Sequence, residues 1–284
     1  MDRLATMQNI RRSAVAGSWY PGSAAALQRA VERHLAQTAR DVGGELVAIV
    51  APHAGLMYSG PVAAHAYRLL RGRSFDVVVL VGPSHFIAFD GVAAYPAGGF
   101  ETPLGVAEVD ADCAAALIAA CPRVHAGADV HRREHSLEMQ LPFLQHVAPR
   151  APIVPLLMGH QTDETARALG DALATVLRGR RALVVASTDL SHYHDAATAS
   201  VLDRVVIDCV GRLDADGLQR ALDVRPEHAC GGGPTVAVMR AALALGARDA
   251  IVLDYADSGD VSGDKSAVVG YLAAALGTFT KEAA

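Results

Sequence analysis

The chain has 284 residues with a formal net charge of −5, and 51% of its residues are hydrophobic. That is enough apolar material for one large α/β domain with a covered sheet, or for two smaller ones. The mild, dispersed charge lacks the basic block of a nucleic-acid binder, and the longest weakly apolar stretch, 266–279, is too short and too rich in small residues to span a bilayer.

In chain order, residues 1–12 are polar and read as a mobile or edge-hugging start without a secretory core. The segment 14–22 holds the only tryptophan, Trp19, beside Tyr20 and a Pro-Gly turn, as a packing lid or a substrate-stacking surface. Ser23 as N-cap, with Leu27, Val31 and Leu35 at spacing four, predicts an amphipathic helix over 23–40. A strand over 46–51 runs into the His53 loop, and a helix is expected over about 61–71. A second strand, 76–82, closes at His85. A short strand over 91–97 and a loop over 98–105 follow, and Asp110 caps a helix to about 120. Ser136 is the expected N-cap of a helix through Val147, with Pro142 tolerated in its first two turns.

Further strands are expected over 152–158, 182–186, 250–255 and 266–272, and further helices over 162–178, 196–210, 214–222 and 234–245. Alternation of strands and helices predicts a three-layer α/β/α sandwich with a mostly parallel mixed sheet. Without a Pro/Ser linker or a fixed repeat, one domain over 1–284 is the simpler reading. The cysteines Cys113, Cys121, Cys209 and Cys230 show no CxxC spacing, the usage of a reduced, cytoplasmic protein.

The residues able to do chemistry gather at strand ends: His53, His85 and the Asp189/His192 pair, with Cys230 in a glycine-rich turn before a helix. Open α/β sheets bind ligands at such strand-end crevices. A helix N-terminus favours an anion, so the Cys230 thiol is expected to ionise more readily than usual. Two imidazoles and a thiolate would make a three-ligand set with an open position. Each group alone also has a structural reading: a hydrogen-bonded turn histidine, a small packing cysteine, an aspartate cap. His135 could be a cap or a substrate contact.

The motifs 15–21, 51–60, 82–85, 101–105, 134–144, 187–192 and 230–231 occur in the order seen in the Memo family, and the sequence resembles that family over roughly 11–275. The resemblance implies a fold like that of the class III extradiol ring-cleaving dioxygenases. It implies metal ligands at His53, His85 and Cys230, with Asp189 and His192 as catalytic neighbours; Trp19 and His135 are the candidate substrate contacts from the reading of the residues themselves. The related dioxygenases carry a carboxylate as the third ligand. A thiolate at that place makes Fe(II) or copper the leading metals, with zinc competing. Prokaryotic members are often encoded with a radical-SAM protein and a third small partner, and eukaryotic members resemble adaptors for phosphotyrosine-containing peptides. Three functional readings follow. The first is a metal-dependent, dioxygenase-like oxidoreductase acting on a small-molecule or peptide ligand. The second is a binding module using the former enzyme pocket. The third is a Cys- or zinc-dependent hydrolase.

Overall fold

The computed structural model describes residues 9–38 and 42–280. Residues 1–8, and the end of the helix expected over 23–40, lie outside the described residues. The central strands are β2 (Gly44–Ala51), β3 (Val77–Pro83), β8 (Ile153–Met158) and β9 (Ala182–Ser187), paired in parallel in the order β2-β9-β3-β8. Their sequences are unbroken apolar runs because both faces of the sheet are covered. Val77, Val79 and Val81 pack into one apolar cluster, while Val78 and Leu80 pack into the other. The first cluster is closed by the helices Ala111–Ala120, Asp163–Leu177, Ala196–Gly211, Ala215–Val224 and Gly232–Ala244, the second by Ala24–Ala36, Leu56–Arg68 and Leu141–Val147. The architecture is a three-layer α/β/α sandwich.

The flanks turn the sheet mixed. Strand β12 (Val268–Phe279) runs antiparallel to β2 and to β11 (Asp249–Asp257), and β4 (Val92–Ala94) runs antiparallel to β8 and parallel to β7 (Val124–Ala126). The C-terminal strand is longer than its sequence pattern suggests: Ala273, Ala274 and Ala275 lie buried between β2 and β11, where only small side chains are needed. A separate three-stranded sheet joins β1 (Ile10–Arg11), β5 (Gly99–Thr102) and β6 (Gly105–Glu108).

Two helix boundaries depart from expectation. The helix after β2 starts at Leu56, ahead of Pro61, because one tertiary and one local bond hold its first turn: Leu56 N–H donates to the Trp19 carbonyl and Ser59 Oγ to the Ala54 carbonyl. Pro61 is thus inside the helix, where its missing N–H costs one bond. Ser136 is no helix cap. Its hydroxyl donates to the Pro83 carbonyl at 2.9 Å, and a 3-10 turn, Glu138–Gln140, leads into Leu141–Val147. The expected cap at Asp110 forms, accepting from Cys113 N–H, and Thr162 caps the helix Asp163–Leu177, accepting from Thr165 N–H, whereas Ser23 occupies its N-cap position without a side-chain bond.

Candidate metal centre

Strands β2, β9 and β3 are immediate neighbours, so the loops at their carboxyl ends meet at one rim of the sheet. These loops carry His53, Asp189 and His85. The irregular segment 131–140 crosses the same rim and is pinned there by Ser136 on Pro83. It brings a third histidine. One ring nitrogen each from His53, His85 and His135 lie within 4.8 Å of one another, an arrangement that could hold a metal ion. The His53 and His85 rings meet edge-on at 5.2 Å, and those of His85 and His135 stack at 4.6 Å. Cys230 joins from the turn before the helix Gly232–Ala244, its Sγ 3.2 Å from His53 Nε2.

Each histidine-bearing loop is braced from behind. Glu134 accepts from the His85 ring Nδ1 at 2.9 Å and from the backbone N–H groups of His85, His135 and Ser136. An ionised carboxylate only accepts, so His85 Nδ1 carries the proton and Nε2 is left with a lone pair. The Asp189 carboxylate accepts from His53 N–H at 2.7 Å, and Asp189 N–H donates to the Cys230 sulfur at 3.3 Å. His192 sits on the short strand β10 (His192–His194), its Nδ1 2.8 Å from the Leu190 carbonyl, which again leaves Nε2 as the acceptor.

The N-terminal strap closes one side. Arg11 and Glu138 form a buried ion pair at 2.6 Å. Glu138 also accepts from Ala14 N–H, Val15 N–H and the Tyr20 hydroxyl, and Arg11 donates to the carbonyls of His131 and Glu134. This clasp holds Trp19 with its ring centroid 4.3 Å from that of His135. Phe86 approaches His135 from another side, at 5.9 Å. The His85 side chain remains 27% exposed, so the cluster opens to solvent there.

The family model for the Memo-like protein matches residues 11–275. The chain belongs to the Memo family. This Memo-family chain is 40% identical to a MEMO1 family protein of Methanothermobacter thermautotrophicus, across 92% of this chain and 98% of that one. It is 40% identical to one of Methanopyrus kandleri, across 93% and 97%, and 33% identical to one of Nitrosopumilus maritimus, across 92% and 98%. A solved structure of an uncharacterized Escherichia coli K12 protein shares the fold, with a TM-score of 0.52 and 17% identity, across 80% of this chain and 99% of that one.

The electrostatics of the Memo-family pocket follow from burial. Desolvation holds the His53 imidazole far below its usual value, brings His135 down to about 4, and lowers His192 as well. These rings are neutral at pH 7, the form that offers lone pairs. Burial opposes ionisation of Glu134 too, but bonds from His85 and the local backbone N–H groups outweigh it and take the carboxyl down to about 2. Asp189 goes the other way: burial raises it to about 7 against the bonds from His53 and Ala54 N–H.

The Cys230 thiol corrects an expectation. Its place before a helix predicts a lowered value, yet burial, reinforced by the Asp189 carboxylate, drives it well upward. A helix end acts over one turn, and it loses here to the desolvation of a half-buried side chain.

Of the residues singled out in the sequence, His53, His85, His135, Cys230 and Asp189 are joined by the contacts above, Trp19 packs on His135, and His192 lies near enough that protonating it would disfavour protonation of His53. His135 was expected at the substrate. The structure places it within the mutual 4.8 Å set, whereas Cys230 reaches that set through its contact with His53. Glu134, Glu138, Gln140 and Ser187 were not singled out for the site. A Glu directly before His135 was the one available signal, since metal-binding histidines commonly pair with carboxylates.

Proposed function

We propose that this protein is a metal-dependent, dioxygenase-like oxidoreductase acting on a small organic ligand at the sheet rim. The observation that carries the reading is the convergence of the His53, His85 and His135 nitrogens within 4.8 Å. The donor set fits a metal ion: His85 keeps a lone pair at Nε2 because Glu134 holds the proton at Nδ1, and the Cys230 sulfur lies against His53 Nε2. The imidazoles of His53, His85 and His135 would hold the ion, with Cys230 supplying a sulfur donor. Imidazole and thiolate together suit iron and copper, with zinc as the competitor. A bound iron or copper would supply one-electron chemistry toward an oxidisable substrate.

The chain's own residues have separate tasks. Asp189 fixes the His53 loop through the backbone N–H. His192, neutral and with Nε2 unprotonated, takes a proton from substrate or returns one. Trp19 and Phe86 exclude water on two sides of His135. A Cys230-nucleophile hydrolase is disfavoured, because a buried thiol held protonated is a poor nucleophile. Any partner from a radical-SAM pathway would act on the ligand before or after this site, in the cytoplasm.

Elemental analysis tests the reading. Protein purified without chelator should carry close to one equivalent of a transition metal, and the His53→Ala, His85→Ala double variant should carry almost none. Equal, negligible metal in both would refute it.

A further inference from the structure

His85 has a carboxylate to fix its proton. His53 has no carboxylate at Nδ1: the Ser187 hydroxyl lies 2.9 Å away, with the Ser187 backbone also in hydrogen-bonding reach, and a hydroxyl can either donate or accept. The surrounding bonds remove that choice. Ser187 has a single hydrogen, and the Ser136 carbonyl lies 2.7 Å away to receive it. One Ser187 lone pair is occupied by Gln140 Nε2, at 2.8 Å. The remaining position on the oxygen is a lone pair, so His53 Nδ1 must be the donor.

The Gln140 amide has a determined orientation as well. Its Nε2 also reaches the Pro52 carbonyl at 3.0 Å, which only accepts, and its Oε1 lies 2.7 Å from the Tyr67 hydroxyl. Turning the amide over would set oxygen against oxygen at Pro52. Tyr67, Gln140, Ser187 and His53 are all buried, so water does not offer a substitute partner at these positions.

We infer that Gln140 and Ser187 are positioning residues that hold His53 in the tautomer protonated at Nδ1, so that its Nε2 lone pair faces His85, His135 and Cys230. The inference rests on the metal-site reading for its consequence, not for the proton position itself. An unmade choice at His53 would leave part of the population with Nε2–H directed at the cluster, and that fraction cannot bind a cation there. Loss of such outer partners typically weakens metal binding by about 10- to 100-fold.

The test uses metal-free full-length protein with labelled histidines. Long-range proton–nitrogen correlation spectra read the tautomer, with the His53 signals assigned by their loss in His53→Gln. Zinc titration reads affinity. The wild type should show a single His53 tautomer, protonated at Nδ1. Gln140→Met, close in volume, should bind zinc roughly tenfold more weakly, and Ser187→Ala more weakly still, within the range of about 10- to 100-fold. In Gln140→Met the His53 resonances should also lose their single-tautomer signature. A wild-type His53 protonated at Nε2 would overturn the inference, as would a folded Gln140→Met and Ser187→Ala that both keep the wild-type spectrum and zinc affinity. A wild type with the Nδ1 proton but no zinc binding supports the inference and refutes the metal reading, so the two failures are distinct.

Discussion

The clasp between Arg11 and Glu138 offers the sharpest stability test. The two side chains are 3% and 0% exposed, and the carboxylate accepts from Ala14 N–H, Val15 N–H and Tyr20 as well as from Arg11. Removing one member of a buried pair typically costs about 3–5 kcal/mol, because the other charge is left without compensation. Arg11→Met should fall at the lower end, since three donors still satisfy Glu138. Glu138→Met should fall at the upper end or beyond: it strands the guanidinium and three donors, each orphan costing about 1–3 kcal/mol. The double variant Arg11→Met, Glu138→Met should be less damaged than Glu138→Met alone, because no buried charge remains. Trp19, the only tryptophan, sits on the clasped strap, so urea unfolding followed by its fluorescence reads stability and strap release together. At about 2–4 °C per kcal/mol, the midpoint of thermal unfolding should drop by roughly 6–20 °C. A Glu138→Met protein within about 1 kcal/mol of wild type would refute the reasoning.

Zinc affinity should rise with pH between about 7.5 and 9, because a thiol raised by burial must lose its proton to ligate; a donor set of imidazoles alone gives a flat profile there. Glu134→Gln removes the carboxylate behind His85 and should weaken metal binding by about 10- to 100-fold in titration calorimetry, whereas an unchanged constant would deny Glu134 its bracing role. Asp189 is raised to about 7, so the folded protein binds its proton more tightly than the unfolded chain, and its contribution to stability is present near pH 4 and lost as pH rises toward 7. Asp189→Asn should therefore flatten that part of the stability–pH curve, and identical curves would contradict the raised carboxyl. Tyr193 is 78% exposed with a φ of +63°, so Tyr193→Gly should leave the protein as stable or up to about 1 kcal/mol more stable by denaturant titration, and a clear loss would mean that the edge-on contact of its ring with His192, at 5.6 Å, outweighs the relieved backbone strain.

What could be read from the sequence was local. The unbroken apolar run Val77–Val81 marks a strand covered on both faces, Asp110 and Thr162 mark helix starts, and His53 and His85 stand directly after strands, where the sheet must open a crevice. What could not be read was long-range. Glu138 meets Arg11 across 127 positions, and Gln140 meets Ser187 across 47, so no spacing rule connects them. His135 lies in an irregular segment whose course is set by Ser136 on Pro83 rather than by any periodicity. The first turn of the helix at Leu56 forms on a bond from Trp19, against the local signal of Pro61. The Cys230 thiol failed for a related reason: its helix end is visible in the sequence, whereas its desolvation exists only after folding.

Anomalous diffraction from crystals of the metal-loaded protein tests the central claim most directly. The account predicts one strong peak among the three imidazoles, about 2.0–2.1 Å from the ligating nitrogens of His53 and His85. A peak elsewhere in the molecule, or none in protein that carries stoichiometric metal, would contradict it.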